Sequence, residues 1–514
     1  MSVLHIPHTP GYKQSQLKFS NYKFCTIAPF VIYAVFESIL EPLGRQAKQT
    51  TYSQHHKVCA AAAILCSTLG QYNQLTVMKV GKNALTEFLI VLIEWETAIV
   101  EELRINRPMK RMSAQKREKH ENATQCYICR HVFEEDDPKG PKVRDHDHIT
   151  GFFLGGAHLQ CNLERPVSFR ITVFFHNFRG YDAHLIVHEF GKRPDREIKV
   201  IGQNMEKYLQ MEWGKNMVFR DSLQFLPASF EQLTASLTKT GRGNFYNLHE
   251  IVAQIYPESD VELLERKNVF CYDYIDSFAR LEELALPPWE AFFNKLGGVE
   301  CSAADYAHDK HVFAIFQCES LKNYMQLCLY SDICLLADVF QMFRNNSLDE
   351  YQLGPAYFVS APQLAWNALL KHIDRPIPLI TDPEMYRMIQ PNIRGGICHA
   401  DVRYARANIK LMGSLYDPTQ PTSYIMEVDA NNLYGWAMSQ EMPDGDFEWV
   451  SQDECREMEL LLNYAAGRIA IFYLGLFNHR VTDKESKVSS LRSTWSIHLT
   501  FTIVMMIIRS PRRL

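Results

Sequence analysis

The segment 424–439, with the sequence YIMEVDANNLYGWAMS, combines residue types that can hold a metal ion. A short apolar run ends on Asp429, and the chain then turns through two asparagines to Tyr434. A carboxylate at the end of a buried strand, followed by an aromatic residue beyond the turn, is typical of a metal site. Sites that use two metal ions need further carboxylates to balance the charge of the ions. The partners of Asp429 must therefore lie elsewhere in the chain.

Three other acidic residues lie in segments that could build a two-metal nuclease site. Glu37 ends the apolar run PFVIYAVFE, Asp182 ends HNFRGYD, and Asp332 lies in CLYSDICLLADVF. Hydrolysis at a DNA 3′ end by two metal ions needs three or four carboxylates that converge from separate strands and helices. Taken alone, each of these acids could also be an ordinary helix cap or surface residue.

Two short pairs of cysteine and histidine predict a zinc site. Cys126 and Cys129 are separated by two residues, and so are His158 and Cys161. Two such pairs supply the three sulfur ligands and the one nitrogen ligand of a tetrahedral Zn²⁺ site. The alternative is that free cysteines happen to lie near a histidine of the core.

Between these pairs, the segment VRDHDHITG places Asp145, His146, Asp147 and His148 in consecutive positions, and Asn162 follows the last cysteine. Burying such a run of polar side chains without partners would be costly. We therefore expect these residues to face solvent or a metal ion.

The elements around these residues predict an α/β protein. Residues 101–120 are rich in Lys and Arg and poor in apolar residues, so we expect a surface connection there. Apolar runs and helical spacing predict the other elements. These are a strand at 29–37, a half-buried helix at 84–100, a strand, turn and helix at 171–190, a strand at 217–222, and helices at 319–346 and after Ser360.

The composition sets outer limits on the class of protein. With 514 residues, of which 46% are hydrophobic, the chain can form a large core and is long enough for roughly three domains. The formal net charge of −5 means that contact with nucleic acid would depend on local basic patches. We expect no secretory signal, no disulfide framework from the 13 cysteines, and an intracellular location. The apolar stretch 499–508 is too short to span a bilayer, so we expect no membrane partner.

The segment VRDHDHITGFFLGGAHLQCN resembles the recombination endonuclease VII family, a zinc-bound ββα-metal nuclease fold. The resemblance implies that Asp145 and Asn162 hold Mg²⁺, that His146 activates the attacking water, and that His148 assists at the scissile phosphate. The family has cysteine where this chain has His158, which is a conservative change for zinc. The implied activity is a metal-dependent DNA endonuclease, and the alternative is a structural module that binds DNA.

The chain from about residue 29 to about residue 452 resembles the family B DNA polymerases, in the protein-primed form found in DNA transposons of the Polinton/Maverick type. HNFRGYD is similar to the second exonuclease motif, which implies that Asn177 and Tyr181 contact DNA and that Asp182 binds metal. CLYSDICLLADVF is similar to the third motif and implies the same metal-binding role for Asp332. Glu37 matches the second carboxylate of the first motif.

Two departures from the family pattern affect the implied exonuclease. Val35 stands where the first motif has its first carboxylate, and Cys328 stands where the third motif has a tyrosine. A valine leaves bound cations without part of their counter-charge, and loss of the tyrosine removes a group that positions the attacking water. We therefore expect weak or absent exonuclease activity.

VDANNLYGWAM resembles motif A of the polymerase palm. The resemblance implies that Asp429 binds the catalytic metal ions and that Tyr434 excludes ribonucleotides at the incoming sugar. Nucleotidyl transfer also needs a second aspartate, from an Asp-Thr-Asp hairpin, and a helix with a triphosphate-binding lysine. Residues 450–514 contain neither pattern. We therefore expect a truncated polymerase that is inactive as this chain.

Two further segments imply contacts with DNA. IRGGI resembles the link between the exonuclease and polymerase regions, which assigns DNA contacts to Arg394, Gly395 and Gly396. SFEQL loosely resembles a motif that holds a single-stranded primer, here through Ser229, with Phe230 in place of a leucine.

Together the resemblances imply an α/β fold with an RNase H-like 3′–5′ exonuclease domain, interrupted by a small zinc-bound ββα module and followed by an incomplete polymerase palm. The expected domains are the first part of the exonuclease-like domain at 1–110, the zinc insertion at 111–168, the rest of the exonuclease-like domain at 169–380, the start of the palm at 381–455, and an unrelated, disordered tail at 456–514.

The implied function is that of a DNA-directed DNA polymerase that replicates a mobile element. The implied cofactors are Mg²⁺ at the two-metal sites and structural Zn²⁺. DNA, dNTPs and a terminal protein primer are the implied partners, and the intracellular location includes the nucleus. The alternatives are a metal-dependent DNA endonuclease that acts through residues 126–162 and a non-catalytic remnant that binds DNA.

Overall fold

The computed structural model describes residues 15–47, 50–164, 170–204, 206–256, 258–295, 297–373, 375–390, 404–426 and 508–509. The chain divides into two compact units. One is Phe19–His372, and the other is formed by Met1–Lys18 with Ile373–Leu514.

Among the described residues the strands are β1 (Gln16–Leu17), β2 (Phe30–Ala47), β3 (Thr50–Ser67), β4 (Leu75–Val80), β5 (Lys142–His146), β6 (Phe153–His158), β7 (Ile171–Phe175), β8 (Ile198–Gly202), β9 (Tyr208–Trp213), β10 (Met217–Asp221), β11 (Ile377–Pro378), β12 (Ser423–Tyr424) and β13 (Ile508–Arg509). The α-helices are α1 (Ala84–Arg104), α2 (Ala114–Glu121), α3 (Leu159–Leu163), α4 (Asp182–Gly191), α5 (Phe230–Thr240), α6 (Tyr246–Ile255), α7 (Phe278–Leu281), α8 (Ala303–Ile315), α9 (Leu321–Tyr351), α10 (Ala361–Ile373) and α11 (Pro383–Ile389). The predicted α/β class is confirmed.

A seven-stranded mixed sheet forms the centre of the unit Phe19–His372, with the strand order β4-β3-β2-β7-β10-β9-β8. Its three central strands, β2, β7 and β10, are parallel to one another. On one side β3 is antiparallel to β2 and β4 is antiparallel to β3. On the other side β9 is antiparallel to β10 and β8 is antiparallel to β9. Since β2 and β7 run in the same direction, the residues that follow them meet at one edge of the sheet.

Strand β2 places alternate side chains on the two faces of the sheet. On one face Phe36 packs edge-to-face against Phe88 of α1, with ring centroids 5.6 Å apart. On the other face Tyr33 contacts Phe340 of α9, with centroids 6.0 Å apart. Apolar side chains cover both faces, which explains why the predicted strand at 29–37 is almost continuously hydrophobic. The strand is longer than expected, because it continues to Ala47 as a two-stranded ribbon with β3.

The two longest helices confirm the sequence predictions, each with somewhat different ends. The helix expected at 84–100 continues to Arg104, and the one expected at 319–346 runs from Leu321 to Tyr351. The Ser320 hydroxyl caps α9 by accepting a hydrogen bond from the Asn323 amide. Helix α9 is long and apolar enough to cross a membrane, but 72% of its most apolar stretch is buried in the protein. Packing in the core therefore accounts for its composition.

The insertion between β4 and β7 contains an antiparallel hairpin, β5 and β6, followed directly by the short helix α3. The basic segment expected to be a surface connection is partly helical, because α1 extends into it and α2 is capped by the Ser113 hydroxyl. Its remaining residues, 105–113, are extended or irregular.

In the second unit β1 pairs with β11, and β12 pairs with β13, both in antiparallel register. The Asp382 carboxylate caps α11 by accepting hydrogen bonds from the amides of Glu384 and Met385. Most of the segments predicted to be the palm and the tail, at 381–455 and 456–514, lie outside the described residues.

Candidate acidic site and metal centre

Glu37, Asp182 and Asp332 come together from three separate elements. Glu37 lies on β2 at a bulge in its pairing with β3, Asp182 begins α4 just beyond β7, and Asp332 lies in α9. The three residues are only 7%, 7% and 5% exposed. The charges of Asp332 and Asp182 both act on the Glu37 carboxyl, which places the three groups in one electrostatic neighbourhood. The structure thus brings together the acids predicted from three separate segments.

Lys267, which the sequence did not single out, supplies positive charge to this cluster. Its Nζ lies 2.9 Å from Asp332 Oδ2, and its side chain is 28% exposed. Burial lowers the pKa of Lys267, but the Asp332 carboxylate raises it by more. The net pKa lies above its usual value, and the ammonium stays charged. The sequence signal that could have found Lys267 is weak, since it is one basic residue in the run RKNVFCYDYIDS.

Burial dominates the electrostatics of the other two acids. It raises the pKa of Glu37 to about 8, with the charge of Lys267 acting in the opposite direction. It also raises the pKa of Asp182 to about 8, partly offset by a backbone hydrogen bond at the start of α4 and reinforced by the charge of Asp221. Both carboxyls therefore hold a proton near neutral pH in the absence of a cation.

The loop that carries Asp182 is fixed by Asp221, another residue that the sequence did not indicate. Asp221 ends β10, is fully buried, and accepts hydrogen bonds from the backbone amides of Asn177 at 2.9 Å and Arg179 at 3.1 Å. Asn177 has a φ of +73°, a left-handed conformation that asparagine tolerates better than most residues. A Cβ at Gly180 would lie 2.6 Å from Asn177 Oδ1, so a larger residue there would displace the Asn177 side chain.

The predicted DNA contacts Asn177 and Tyr181 lie in the loop that precedes Asp182, and the charges of Asp182 and Glu37 act on the Tyr181 phenol. Asn177 is exposed, and the half-buried Tyr181 immediately precedes Asp182. The Tyr181 hydroxyl lies 2.9 Å from His56 Nδ1 on β3, which holds the phenol in place. Burial raises the pKa of Tyr181 to about 12, so the phenol stays neutral.

The predicted primer contact Ser229 has a structural role in the fold. Its hydroxyl accepts a hydrogen bond from the Gln232 amide, and the Gln232 side chain accepts one from the Ser229 amide, which forms a capping box at the start of α5. The next residue, Phe230, faces the acidic cluster, with its ring centroid 5.1 Å from Lys267 Nζ. A DNA contact by Ser229 stays a prediction.

The two departures from the exonuclease pattern also lie at this site. Val35 precedes Glu37 by two residues on β2, so both side chains lie on the same face of the sheet. Cys328 lies one helical turn before Asp332, and burial raises its pKa, so the thiol is protonated. Tyr272 is 39% exposed, but desolvation of its hydroxyl raises the pKa of the phenol. The charge of Lys267 acts against this rise, and the charges of Glu37 and Asp332 reinforce it. Tyr272 therefore brings a neutral hydroxyl to a site whose motif tyrosine is replaced by cysteine.

The second candidate site is the cluster of Cys126, Cys129, His158 and Cys161, whose ligand atoms all lie within 4.8 Å of one another and are buried. His158 Nδ1 lies 3.4 Å from Cys129 Sγ and 3.9 Å from Cys161 Sγ. Tetrahedral Zn²⁺ with Zn–S bonds of about 2.3 Å has ligand–ligand edges of about 3.8 Å. The predicted ligands therefore fit structural zinc, and no other group of three or more such ligands is this close among the described residues.

Charged residues around the cluster complement a zinc site with three thiolates. Asp137 Oδ2 lies 2.8 Å from His158 Nε2, which is a charge contact and not a well-aligned hydrogen bond. Lys139 Nζ lies 3.6 Å from Cys129 Sγ. A hydrogen bond from Cys129 lowers the pKa of Cys126, as expected where close thiols share protons. An acid beside the histidine and a cation beside a thiolate are typical of the surroundings of zinc ligands.

The residues predicted to form an endonuclease centre lie on and beside the hairpin. Asp145 is fully buried at the end of β5, and its Oδ2 accepts a hydrogen bond of 2.6 Å from the Tyr127 hydroxyl. The rings of His146 and His148 stack with centroids 4.7 Å apart. His146 Nε2 lies 3.2 Å from the Arg107 carbonyl oxygen and so carries the hydrogen, which leaves the lone pair of a neutral ring on Nδ1. Asn162 is half-buried in α3.

The remaining predicted site residues lie outside the described part of the chain. These are Asp429 and Tyr434 of the polymerase-like segment and Arg394, Gly395 and Gly396 of the link. Their assigned roles stay predictions.

Comparison with known proteins found no relative of this chain. No protein family model, no curated protein and no solved structure matches the chain. The acidic site and the cysteine cluster are therefore interpreted from their own geometry.

We expect the purified chain to contain one zinc ion and to lose it on Cys126→Ser or Cys161→Ser. A hydroxyl is a poor zinc ligand, and a structural site depends on all four ligands. Elemental analysis gives the zinc content, and thermal unfolding shows the accompanying loss of stability. Cys301→Ser, outside the cluster, is the matched control and should keep its zinc. Full zinc content in Cys161→Ser would contradict the assignment.

We also expect stability to fall as the pH rises from about 5 to about 8. In this window the folded protein retains protons on Glu37 and Asp182, whose pKa values are raised, whereas the unfolded chain has lost them. Asp182→Asn should reduce this fall by roughly 1–3 kcal/mol, measured by urea unfolding across the pH range. Asp136→Asn, at an exposed position, should behave like the natural chain. An equal fall in Asp182→Asn would refute the raised pKa.

Proposed function

We propose that the unit Phe19–His372 is an RNase H-like exonuclease domain of the family B DNA polymerase type, and that its acidic site binds the 3′ end of single-stranded DNA. The strand order supports the fold. Strands β2, β7 and β10 form a parallel centre, and the β3 and β4 hairpin strands extend it in antiparallel direction. This is the order and direction expected of an RNase H-like sheet.

The convergence of Glu37, Asp182 and Asp332 carries the proposal. Each acid comes from a different element, and the charges of Asp182 and Asp332 both act on the Glu37 carboxyl. A fold does not keep three carboxylates buried side by side without a reason, because the burial of each one costs stability. Divalent cations held by these oxygens would supply Lewis acidity toward the scissile phosphate.

The surrounding residues have roles that do not depend on a cation. The ammonium of Lys267 neutralises Asp332 in the free protein and can face a phosphate when DNA is bound. Phe230 and Tyr181 present aromatic rings beside the acids, where unpaired bases can stack. The Tyr272 hydroxyl is available to orient water. Val35 contributes no charge, so we propose a site that binds DNA ends better than it cleaves them.

The resemblance of the segment VDANNLYGWAM to family B polymerases extends the proposal to the polymerase reaction. Asp429 would bind catalytic Mg²⁺ and Tyr434 would select deoxynucleotides, with DNA, dNTPs and a terminal protein primer as partners in an intracellular compartment that includes the nucleus. The support is the sequence VDANNLYGWAM, together with the exonuclease-like site upstream of it.

A second candidate function, a metal-dependent DNA endonuclease, is favoured by the geometry at the hairpin. The stacked imidazoles of His146 and His148 lie beside the buried carboxylate of Asp145. The Arg107 carbonyl oxygen orients the His146 ring through Nε2, and a positioned imidazole is the most common general base toward water. The Asn162 amide and the zinc-bound scaffold lie in the same module.

We expect Val35→Asp to increase the stepwise shortening of single-stranded DNA from its 3′ end by roughly tenfold or more in Mg²⁺ or Mn²⁺. The new carboxylate would lie on the face of Glu37 and complete the charge that two cations need. Gel analysis of 5′-labelled DNA measures the effect, with Val35→Asn as the uncharged control. Adding Asp182→Asn should abolish the gain. A folded Val35→Asp that is no more active than Val35→Asn would count against the acidic site as a nuclease.

For the second candidate, His146→Ala should abolish any Mg²⁺-dependent nicking of branched DNA by the natural chain, because it removes the proposed base. Internal nicks are distinguished from end shortening by the length of the labelled products. Asp182→Asn is the control and should nick normally. Nicking that survives His146→Ala would exclude this role for the hairpin.

A further inference from the structure

We propose that a basic surface beside the zinc-bound insertion binds single-stranded DNA, with phosphates on its lysines and an unpaired base on the ring of Phe152. The segment 104–119 contains seven Lys or Arg residues and one acid, in a chain whose formal net charge is −5. Such a local excess of positive charge matches the phosphates of nucleic acid. The basic surface is defined by the exposed residues Arg104, Lys110, Arg111, Lys116, Arg117 and Lys119.

Backbone contacts fix this segment alongside the hairpin loop 147–152. The Arg107 amide donates a hydrogen bond of 2.9 Å to the His148 carbonyl, and the Lys110 amide donates one of 2.7 Å to the Gly151 carbonyl. Gly151 has a φ of +74°, and a Cβ there would lie 2.8 Å from the Pro108 carbonyl oxygen. The close approach therefore requires glycine, and the basic surface and the loop form one rigid face.

The aromatic ring of Phe152 distinguishes this surface from a patch of charged residues alone. It is 51% exposed at the end of the loop. Lys110 Nζ lies 4.0 Å from the ring centroid, and Lys116 Nζ, from the separate helix α2, lies 5.3 Å from it. Lysines elsewhere on the unit, such as Lys192 and Lys199, pair instead with neighbouring glutamates.

An exposed aromatic ring between two ammonium groups suits a single strand better than a duplex. An unpaired base can stack on the ring while the two lysines contact the phosphates on either side, whereas the bases of a duplex are already stacked. The choice of DNA over RNA rests on the proposed function of the acidic site. The surface itself is separate from that site, because none of its residues belongs to the acidic cluster.

The test uses the full, zinc-loaded chain and a short circular single-stranded DNA, which has no 3′ end for the acidic site. Fluorescence anisotropy at several salt concentrations gives the affinity and its salt dependence. The triple variant Lys110→Gln/Lys116→Gln/Lys119→Gln should bind at least tenfold more weakly, with a slope of log K against log salt that is shallower by about 2. The control Lys192→Gln/Lys199→Gln/Lys322→Gln has the same change in charge and should bind like the natural chain.

Phe152→Ala should weaken binding of the circle by about tenfold without changing the salt slope, and Phe152→Trp should retain affinity. The circle has no 3′ end for the acidic site, so failure of the exonuclease proposal would leave this result intact. Natural affinity in the lysine triple variant would overturn the proposal. So would duplex binding as tight as that of the single strand, or tighter binding of the corresponding RNA circle.

Discussion

The acidic site depends on the ion pair between Lys267 and Asp332. Three carboxyl groups are buried together there, and burying carboxylates without counter-charge costs more than the net stability of a typical domain allows. Two of the groups, Glu37 and Asp182, have raised pKa values and hold protons near neutral pH, while the third is neutralised by the ammonium of Lys267. The cluster is therefore stable without a cation, and in the proposed function a cation would bind after Glu37 and Asp182 release their protons.

The central sheet and the helix packed on it fix the positions of the acidic residues. Parallel pairing of β2 with β7 brings Glu37 and the loop before Asp182 to one edge, and α9 packs across the same face to deliver Asp332. The buried carboxylate of Asp221 then holds the loop through two backbone amides. Strands and helices thus fix the acids of this unit. In the insertion, where few apolar residues are available to form a core, the four clustered ligands could fix the fold by binding zinc.

Local patterns in the sequence were sufficient to predict the main elements and the cluster of Cys126, Cys129, His158 and Cys161, which could hold zinc. The helices around α1 and α9, the central strands and the four ligands each follow from spacing within a short window. Contacts between residues that are far apart in the sequence could not be predicted from local patterns. Lys267 lies 65 residues from Asp332, and Asp221 lies 44 residues from Asn177, so only the folded chain reveals these contacts. The capping role of the Ser229 hydroxyl was likewise not predicted, and its contact with DNA stays a prediction.

The most direct test of the account is the thermal unfolding of Lys267→Met with and without Mn²⁺. Loss of the ammonium leaves a buried carboxylate without its partner, so we expect a large drop in the unfolding temperature, corresponding to about 3–5 kcal/mol. Mn²⁺ should restore much of this loss by taking the place of the lysine charge, and it should have no such effect on Lys267→Met/Asp332→Asn. If Lys267→Met is as stable as the natural chain and does not respond to Mn²⁺, the acidic cluster is not a cation site.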